Sequence, residues 1–255
     1  PETMGWVANA APGLAGVALE RVGAEFTRLV TPLGLADRLR AMDESGVLFQ
    51  VLPEMEGLKG VKQGGYHHLD VWGHTLALLD GLEALMDDPQ PVFRRSADTL
   101  GGYSASRQAR LRLKLAGLLH DIAKPQCAVV QDGWTRFFGH ERVGSEVAFS
   151  ICRRLRVPRD VAETVACLVK DHMRPIMLVN GVESPIPTVS AMRRLVKDCE
   201  PDGLGVLLLA AADVLACRGP ATDPEDRARR LDNLDLALAQ YIEWTRQERF
   251  EPLLR

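Results

Sequence analysis

The stretch Leu111-Arg-Leu-Lys-Leu-Ala-Gly-Leu-Leu-His-Asp-Ile-Ala-Lys-Pro125 decides how the rest of the sequence is interpreted. Its apolar residues predict a buried helix that Pro125 ends, because proline cannot continue a helix. His120 and Asp121 stand side by side in this run, and burying both is costly unless something compensates them. A divalent cation is the simplest compensator, so we expect the function of the chain to lie here.

The composition is that of an ordinary globular protein. The 255 residues are 46% apolar and 25% charged, which is enough for a sizeable core. A net charge of −3 gives no global attraction to nucleic acid or to anionic membranes. Five scattered cysteines without a CxxC pair favour a reducing cytoplasm. We expect no membrane partner, because the sequence shows neither a long apolar run nor a signal peptide.

The spacing of apolar residues predicts a mostly helical chain with one β-hairpin. Apolar residues three and four positions apart are common, and alternating β-branched residues are rare. Two short apolar runs flank Asp132-Gly133, a dipeptide suited to the tight turn of a hairpin. The segments 87–108 and 181–188, rich in turn residues, are predicted as loops. The predicted helices cover 17–30, 34–44, 70–86, 141–155, 159–171, 189–197, 203–216 and 224–244.

Two further residues are candidate metal ligands together with His120 and Asp121. Asp213 lies in a strongly apolar helical segment, where an unpaired carboxylate is expensive to bury. The alternative is that Asp213 forms a cap or pairs with an arginine. His74 also lies in an apolar segment, where a core histidine with satisfied hydrogen bonds is the alternative. Taken together, the four residues favour a metal site.

The order His74, His120-Asp121, Asp213 resembles the H…HD…D signature of the HD superfamily of metal-dependent phosphohydrolases. Local strings resemble one branch more closely, the C-terminal HD region of bacterial tRNA nucleotidyltransferases (CCA-adding enzymes) and poly(A) polymerases. This resemblance extends to about residue 220 and implies an all-α HD-domain helical bundle with one small β-hairpin insertion. The strings are His68-Leu-Asp-Val-Trp-Gly-His74-Thr-Leu, Leu118-Leu-His-Asp-Ile-Ala-Lys-Pro125, Phe137-Phe-Gly-His-Glu-Arg-Val-Gly144 and Ala212-Asp-Val-Leu-Ala216.

The resemblance also implies a division of the chain into three parts. Glu20-Arg21 is similar to the ER-containing helix that precedes the HD region in that branch. We therefore expect an N-terminal, neck-like helical region at 1–56 and an HD-domain core at 57–180. The C-terminal helices at 181–255 are expected to complete the core and to carry the last metal ligand.

The departures from that branch concern nucleotide addition. Its head carries a Gly-Ser or Gly-Gly loop with a DxD motif, and a downstream ED…R helix selects the base. This sequence has none of these combinations, since no DxD follows Gly101-Gly102. We expect no nucleotidyltransferase activity from this chain by itself. The first residue is Pro1 rather than Met, so either the start was processed or the chain is a piece of a longer protein.

Five other polar residues are candidates for contact with a phosphate or a second ion. In two-metal HD enzymes, as the resemblance implies, intervening histidines such as His140 and His172 complete a second site; alternatively both are helix-end histidines. Lys124 and Arg174 could neutralise phosphate oxygens, or they could be solvated surface charges. His68 could approach the substrate, although a surface role is the simpler interpretation.

We expect an enzyme, a metal-dependent phosphohydrolase acting on nucleotide or RNA-end phosphomonoesters or phosphodiesters. Asp121 would bind the metal and help to orient the attacking water, while Lys124, His140 and His172 meet the phosphate. Ligands of mixed His and carboxylate type suit Mn, Fe, Co, Ni or Zn, and Mg remains open, as does the choice between one ion and two.

Two other functions stay open. One is a tRNA-binding body, whose helices grip tRNA while a separate head performs the chemistry. The start at Pro1 favours this alternative, and the acidic charge balance disfavours it. The other is a structural HD remnant without metal, which the complete ligand set disfavours. The oligomeric state is not set by the sequence.

Overall fold

Helices dominate the computed structural model, which describes residues 2–131, 133–180 and 186–250. The strands β1 (Ala128–Gln131) and β2 (Trp134–Phe137) pair antiparallel, with Val129 opposite Arg136. This all-α architecture with one small hairpin confirms the fold class predicted from the sequence. The helices are α1 (Glu2–Ala10), α2 (Leu19–Val30), α3 (Leu35–Glu44), α4 (Val47–Val51), α5 (Val71–Asp87), α6 (Ala97–Ser104), α7 (Arg107–Leu119), α8 (His140–Arg154), α9 (Arg159–Asp171), α10 (Arg174–Val179), α11 (Val189–Asp198), α12 (Gly205–Ala216) and α13 (Pro224–Phe250).

The predicted loop at 87–108 is wrong in part, because it contains α6 and the start of α7. Leu100 is fully buried on α6, and this burial outweighs the low helix propensity of the neighbouring glycines. In the predicted hairpin turn, Gly133 has φ 78°, the left-handed conformation that a tight turn requires. Asp132 of that turn lies outside the described residues, as do Pro1 and most of the predicted loop 181–188.

Helix α5 lies at the centre of the bundle and packs against α7 and α12, while α9 packs against α7 and α8. Gly117 lets α5 and α7 approach closely. A Cβ atom there would lie 3.0–3.2 Å from the side chains of Leu78, Leu79 and Leu82. This packing brings the C-terminal ends of α7 and α9 beside α5.

One hydrophobic core extends from Phe26 on α2 to Leu238 on α13. The division into 1–56, 57–180 and 181–255 stays a prediction. Asp70 caps α5, because its carboxylate accepts the backbone N–H of Gly73 at 2.7 Å. Among the described residues, no helix is both long and apolar enough to cross a membrane.

A buried ion pair fastens the N-terminal helices to this core. Lys114 on α7 is fully buried, and its Nζ lies 2.7 Å from Oε1 of Glu83 on α5. The same ammonium donates to the carbonyl oxygen of Pro32, which follows α2. The Glu83 carboxylate accepts the backbone N–H groups of Gly34 and Leu35 at the start of α3. This ion pair between α5 and α7 therefore satisfies backbone groups after α2 and at the start of α3, and so connects four helices.

We expect Lys114→Met to lower the free energy of unfolding by about 3–5 kcal/mol, because it leaves the Glu83 carboxylate buried without its cation. Urea denaturation followed by circular dichroism measures this change. Lys170→Met, at an exposed position of α9, is the matched control and should change stability by less than about 0.5 kcal/mol. Equal stabilities for the two variants would contradict this account of the junction.

Candidate metal centre

Helix α7 ends at Leu119, and the chain continues through tight turns to Pro125. The backbone N–H of Lys124 donates to the carbonyl of Asp121 at 3.0 Å, which closes a tight turn over residues 121–124. The prediction that this helix continues to Pro125 is therefore wrong, because the helix ends at Leu119. A proline ring clashes with the helical carbonyl four residues earlier, which here belongs to Asp121. His120 and Asp121 are 0% and 1% exposed in this turn.

The four predicted metal ligands lie together. His120 Nε2 is 2.9 Å from Asp121 Oδ2, and His74 Nε2 on α5 is 3.9 Å from the same oxygen. Asp213 on α12 completes the group, because its Oδ1 lies 2.9 Å from His74 Nε2. The Asp213 side chain is 24% exposed, so the cluster is open to solvent on this side.

A second group of side chains shares Asp121. Its other carboxylate oxygen, Oδ1, lies 3.3 Å from Nε2 of His140, the first residue of α8. His172, which follows α9, brings its ring within 5.3 Å of the His120 ring and 5.4 Å of the His140 ring, measured between centroids. The ligand atoms of Asp121, His140 and His172 lie within 4.8 Å of one another. Asp121 therefore stands between two possible ion positions.

Three of the histidines are oriented by the same backbone contact. In each, Nδ1 lies within hydrogen-bond distance of the carbonyl oxygen three residues earlier. A carbonyl can only accept, so Nδ1 carries the proton and Nε2 keeps its lone pair, as a metal ligand requires. The contacts are His120 to Gly117 (2.9 Å), His140 to Phe137 (2.7 Å) and His172 to Val169 (2.7 Å).

Buried polar atoms at the centre of the cluster fit a cation. His120 Nε2, His140 Nε2 and both carboxylate oxygens of Asp121 are buried and have no hydrogen-bond partner among the described residues. Their approaches to one another are short but lack hydrogen-bond geometry. Buried polar atoms normally have partners, and a divalent cation bound by nitrogen and oxygen ligands would supply one to all of them.

The protonation states of Asp121 and His172 suit metal ligation. Burial acts to raise the pKa of Asp121, but neighbouring His120 and Lys124 hold it well below its usual range. Burial, together with His120, lowers the pKa of His172 to about 4. At neutral pH the carboxylate is therefore ionised and the His172 imidazole is neutral, the forms that bind metal.

The other three predicted residues differ in position. Lys124 borders the cluster, because its Nζ lies 2.7 Å from Asp121 Oδ2 and donates to Gln63 Oε1 at 2.5 Å. Arg174 is instead held at 3.0 Å by the carboxylates of Asp171 and Asp198. His68 is exposed, and none of the described contacts brings it to the cluster.

His67, which the sequence analysis passed over, lies where His68 was expected. Its ring centroid is 4.6 Å from that of His74, and its Nδ1 is 3.6 Å from Cys217 Sγ. Gly219 holds this loop, since its N–H donates to Tyr66 O at 2.8 Å and a Cβ there would clash with backbone. No pattern in the sequence distinguishes His67 from His68.

Two cavities open beside the cluster, one on each side of Tyr66 and His67. The first, here called the Asp213 cavity, has a volume of about 320 Å³. The second, here called the hairpin cavity, has a volume of about 490 Å³. The Asp213 cavity is lined by residues that include Met173, Met177, Asp213, Asp226 and Arg230. The hairpin cavity is lined by residues that include Gln63, Lys124, Trp134, Arg136 and Phe137.

The fold and this cluster together define a helical domain built around buried His and Asp side chains. The chain belongs to the HD domain family, whose model matches residues 71–217. All four predicted ligands, His74, His120, Asp121 and Asp213, fall within the matched segment.

Similar proteins include tRNA nucleotidyltransferases. A CC-adding tRNA nucleotidyltransferase of Thermus thermophilus is 35% identical over 207 residues, which is 79% of this chain and 40% of the relative. An A-adding tRNA nucleotidyltransferase of Deinococcus radiodurans is 33% identical over 226 residues, 87% of this chain and 45% of the relative. The family resemblance predicted from the sequence is confirmed. The chain spans less than half the length of these curated relatives.

We expect Asp121→Ala to abolish retention of a divalent metal while the fold stays intact, because both groups of ligands lose their shared carboxylate. Plasma mass spectrometry of the purified protein measures the metal content, and circular dichroism measures the fold. Glu146→Ala, on the exposed face of α8, is the control and should keep the wild-type metal content. Full metal content in the Asp121 variant would refute this ligand assignment.

Proposed function

We propose that the chain is a metal-dependent phosphohydrolase that acts on nucleotide or RNA-end phosphoesters. The observation that carries the proposal is the buried Asp121 carboxylate. Two groups of histidine and aspartate ligands share it, and it has an ion pair with Lys124 but no hydrogen-bond partner among the described residues. Membership of the HD domain family supports the same assignment.

The proposed chemistry divides among the residues of the cluster. A divalent cation held by His74, His120, Asp121 and Asp213 would activate a water molecule and polarise a phosphoryl oxygen. Asp121 would help to orient that water through its second oxygen, Oδ1, which lies 3.3 Å from His140 Nε2. Lys124, whose ammonium borders both Asp121 and the hairpin cavity, neutralises negative charge on the phosphate.

We also propose which metals the site binds, which substrates it accepts and where in the cell the protein is found. Ligands of mixed nitrogen and oxygen type suit Mn, Fe, Co, Ni or Zn, and Mg is a further candidate. His140 and His172 would hold a second ion or contact the substrate directly. The names of the relatives support a nucleotide or RNA-end substrate. The five free cysteines support a cytoplasmic location.

A second candidate function is supported by the lengths of the relatives. This chain covers 40% and 45% of two tRNA nucleotidyltransferases, so it could be the tRNA-binding body of a longer protein. The two functions are compatible, because a hydrolytic site can lie on an RNA-binding scaffold. If the Asp121→Ala variant binds tRNA with an affinity that falls as salt is added, that result would support the second function independently of the first.

We expect His140→Ala and His172→Ala each to lower kcat by a factor on the order of 10², because each removes a ligand for a second ion that would stabilise charge in the transition state. The His74, His120, Asp121 and Asp213 ligands remain whole, so one ion per chain should stay bound. A panel of p-nitrophenyl phosphates and 2′,3′-cyclic nucleotides supplies the substrates. Wild-type kcat in both variants would show that His140 and His172 only stabilise the helix ends, and that the site holds one metal ion.

We expect no nucleotidyltransferase activity from this chain, because its sequence has no DxD motif to bind the metal ions of nucleotide transfer. The direct trial is incubation with CTP, ATP, magnesium and a tRNA lacking its 3′ end, with a full-length CC-adding relative as the positive control. Incorporation of nucleotides by this chain would mean that a second catalytic site exists.

A further inference from the structure

The hairpin cavity brings cationic and aromatic side chains together beside the metal cluster. Lys124 lies on its wall, with Nζ 2.7 Å from Asp121 Oδ2 and 5.5 Å from the centroid of the Phe137 ring. The cavity therefore borders the centre where a phosphate would react. Its volume of about 490 Å³ falls within the usual size range for sites that bind small molecules.

The charges on the cavity wall favour an anion. Arg136 on β2 is exposed and makes no ion pair with any residue in the described part of the chain. Lys124 is shared between Asp121 and the neutral amide of Gln63. The Asp213 cavity differs, because three aspartates line it beside its two arginines, Arg227 and Arg230, whereas none of the described carboxylates lines the hairpin cavity. Available positive charge therefore concentrates on the hairpin side.

Aromatic surface is exposed around the same cavity. Trp134 on β2 is 58% exposed, and its six-membered ring lies beside Gly65, where an added Cβ atom would be 3.6 Å from the ring. Tyr66, which also lines the cavity, is 59% exposed. Trp134 and Arg136 lie on one face of β2, because side chains alternate along a strand. Aromatic rings beside cationic groups are the combination on which nucleobases stack while their phosphates are neutralised.

We infer that the hairpin cavity is the nucleoside-binding site for the substrate, with the base stacked on Trp134 and the phosphate directed to Lys124 and Arg136. This inference rests on the proposed phosphohydrolase function and adds to it a contact with the nucleobase, which strengthens substrate binding but is not needed for hydrolysis of the phosphoester. The hairpin then acts as a specificity element: it binds the part of the substrate that does not react.

Binding of a substrate analogue that cannot be hydrolysed tests the inference. The ligand is the 5′-methylenephosphonate of adenosine, in which carbon replaces the ester oxygen, and calorimetry on the metal-loaded protein gives its Kd. Trp134→Ala should weaken binding about tenfold or more, because the base loses its stacking surface. Trp134→Phe should keep most of the affinity, since a smaller ring still stacks.

Two controls separate a base-binding role from a general effect. Trp6→Ala removes an exposed tryptophan that lies outside both cavities and should leave Kd unchanged. Methylphosphonate, which has no base, should bind equally to the wild type and to Trp134→Ala. A pentaribonucleotide with a 3′-phosphate distinguishes an RNA end from a free nucleotide as the natural ligand. Tighter binding of the pentaribonucleotide than of the adenosine analogue supports an RNA end, and equal binding supports a free nucleotide.

Two results would overturn the inference: wild-type affinity in Trp134→Ala, or no binding of the adenosine analogue to the wild-type protein at millimolar concentration. The proposed function is tested separately by release of phosphate from glycerol 2-phosphate, which has no base. If that hydrolysis fails while binding still depends on Trp134, the nucleoside site stands and the hydrolase does not. If hydrolysis succeeds while Trp134 has no effect on binding, the hydrolase stands and the nucleoside site does not.

Discussion

The rest of the structure depends on the burial of one carboxylate, that of Asp121. A buried charge without compensation is strongly unfavourable, and Lys124 is the cation nearest to it within the described residues. Four histidines surround the carboxylate from four different elements: α5, the end of α7, the start of α8 and the end of α9. The bundle therefore brings its polar ligands together at the place where a cation stabilises the charge.

Helix ends supply both the position and the orientation of the ligands. Carbonyl groups in the last turn of a helix lack partners within the helix, and those of Gly117 and Val169 are contacted by Nδ1 of His120 and His172. The helix dipole adds negative potential at these ends, which favours a cation. The same local rule, a histidine placed just after the helix, therefore satisfies the backbone and fixes the tautomer of the ligand.

Sequence reasoning found the features that are anomalies along the chain. Asp213 in an apolar helix and the adjacent pair His120-Asp121 are costly to bury, so the sequence alone predicts them as metal ligands. The glycine of the Asp-Gly dipeptide likewise predicts the hairpin turn. Features created by tertiary contacts were not predictable. α6 forms despite its glycines because Leu100 is buried in the core. His67 reaches the cluster only because Gly219 fastens its loop. Arg174 turns away because two aspartates hold it.

Anomalous X-ray diffraction from crystals grown with Zn²⁺, recorded on both sides of the zinc absorption edge, tests the central claim most directly. The account predicts a peak about 2.0–2.2 Å from ligand atoms of His74, His120, Asp121 and Asp213, because those are the distances at which zinc binds nitrogen and oxygen. A second peak between Asp121, His140 and His172 would establish the two-ion site. Zinc bound only elsewhere, with Asp121 still paired to Lys124, would contradict the account.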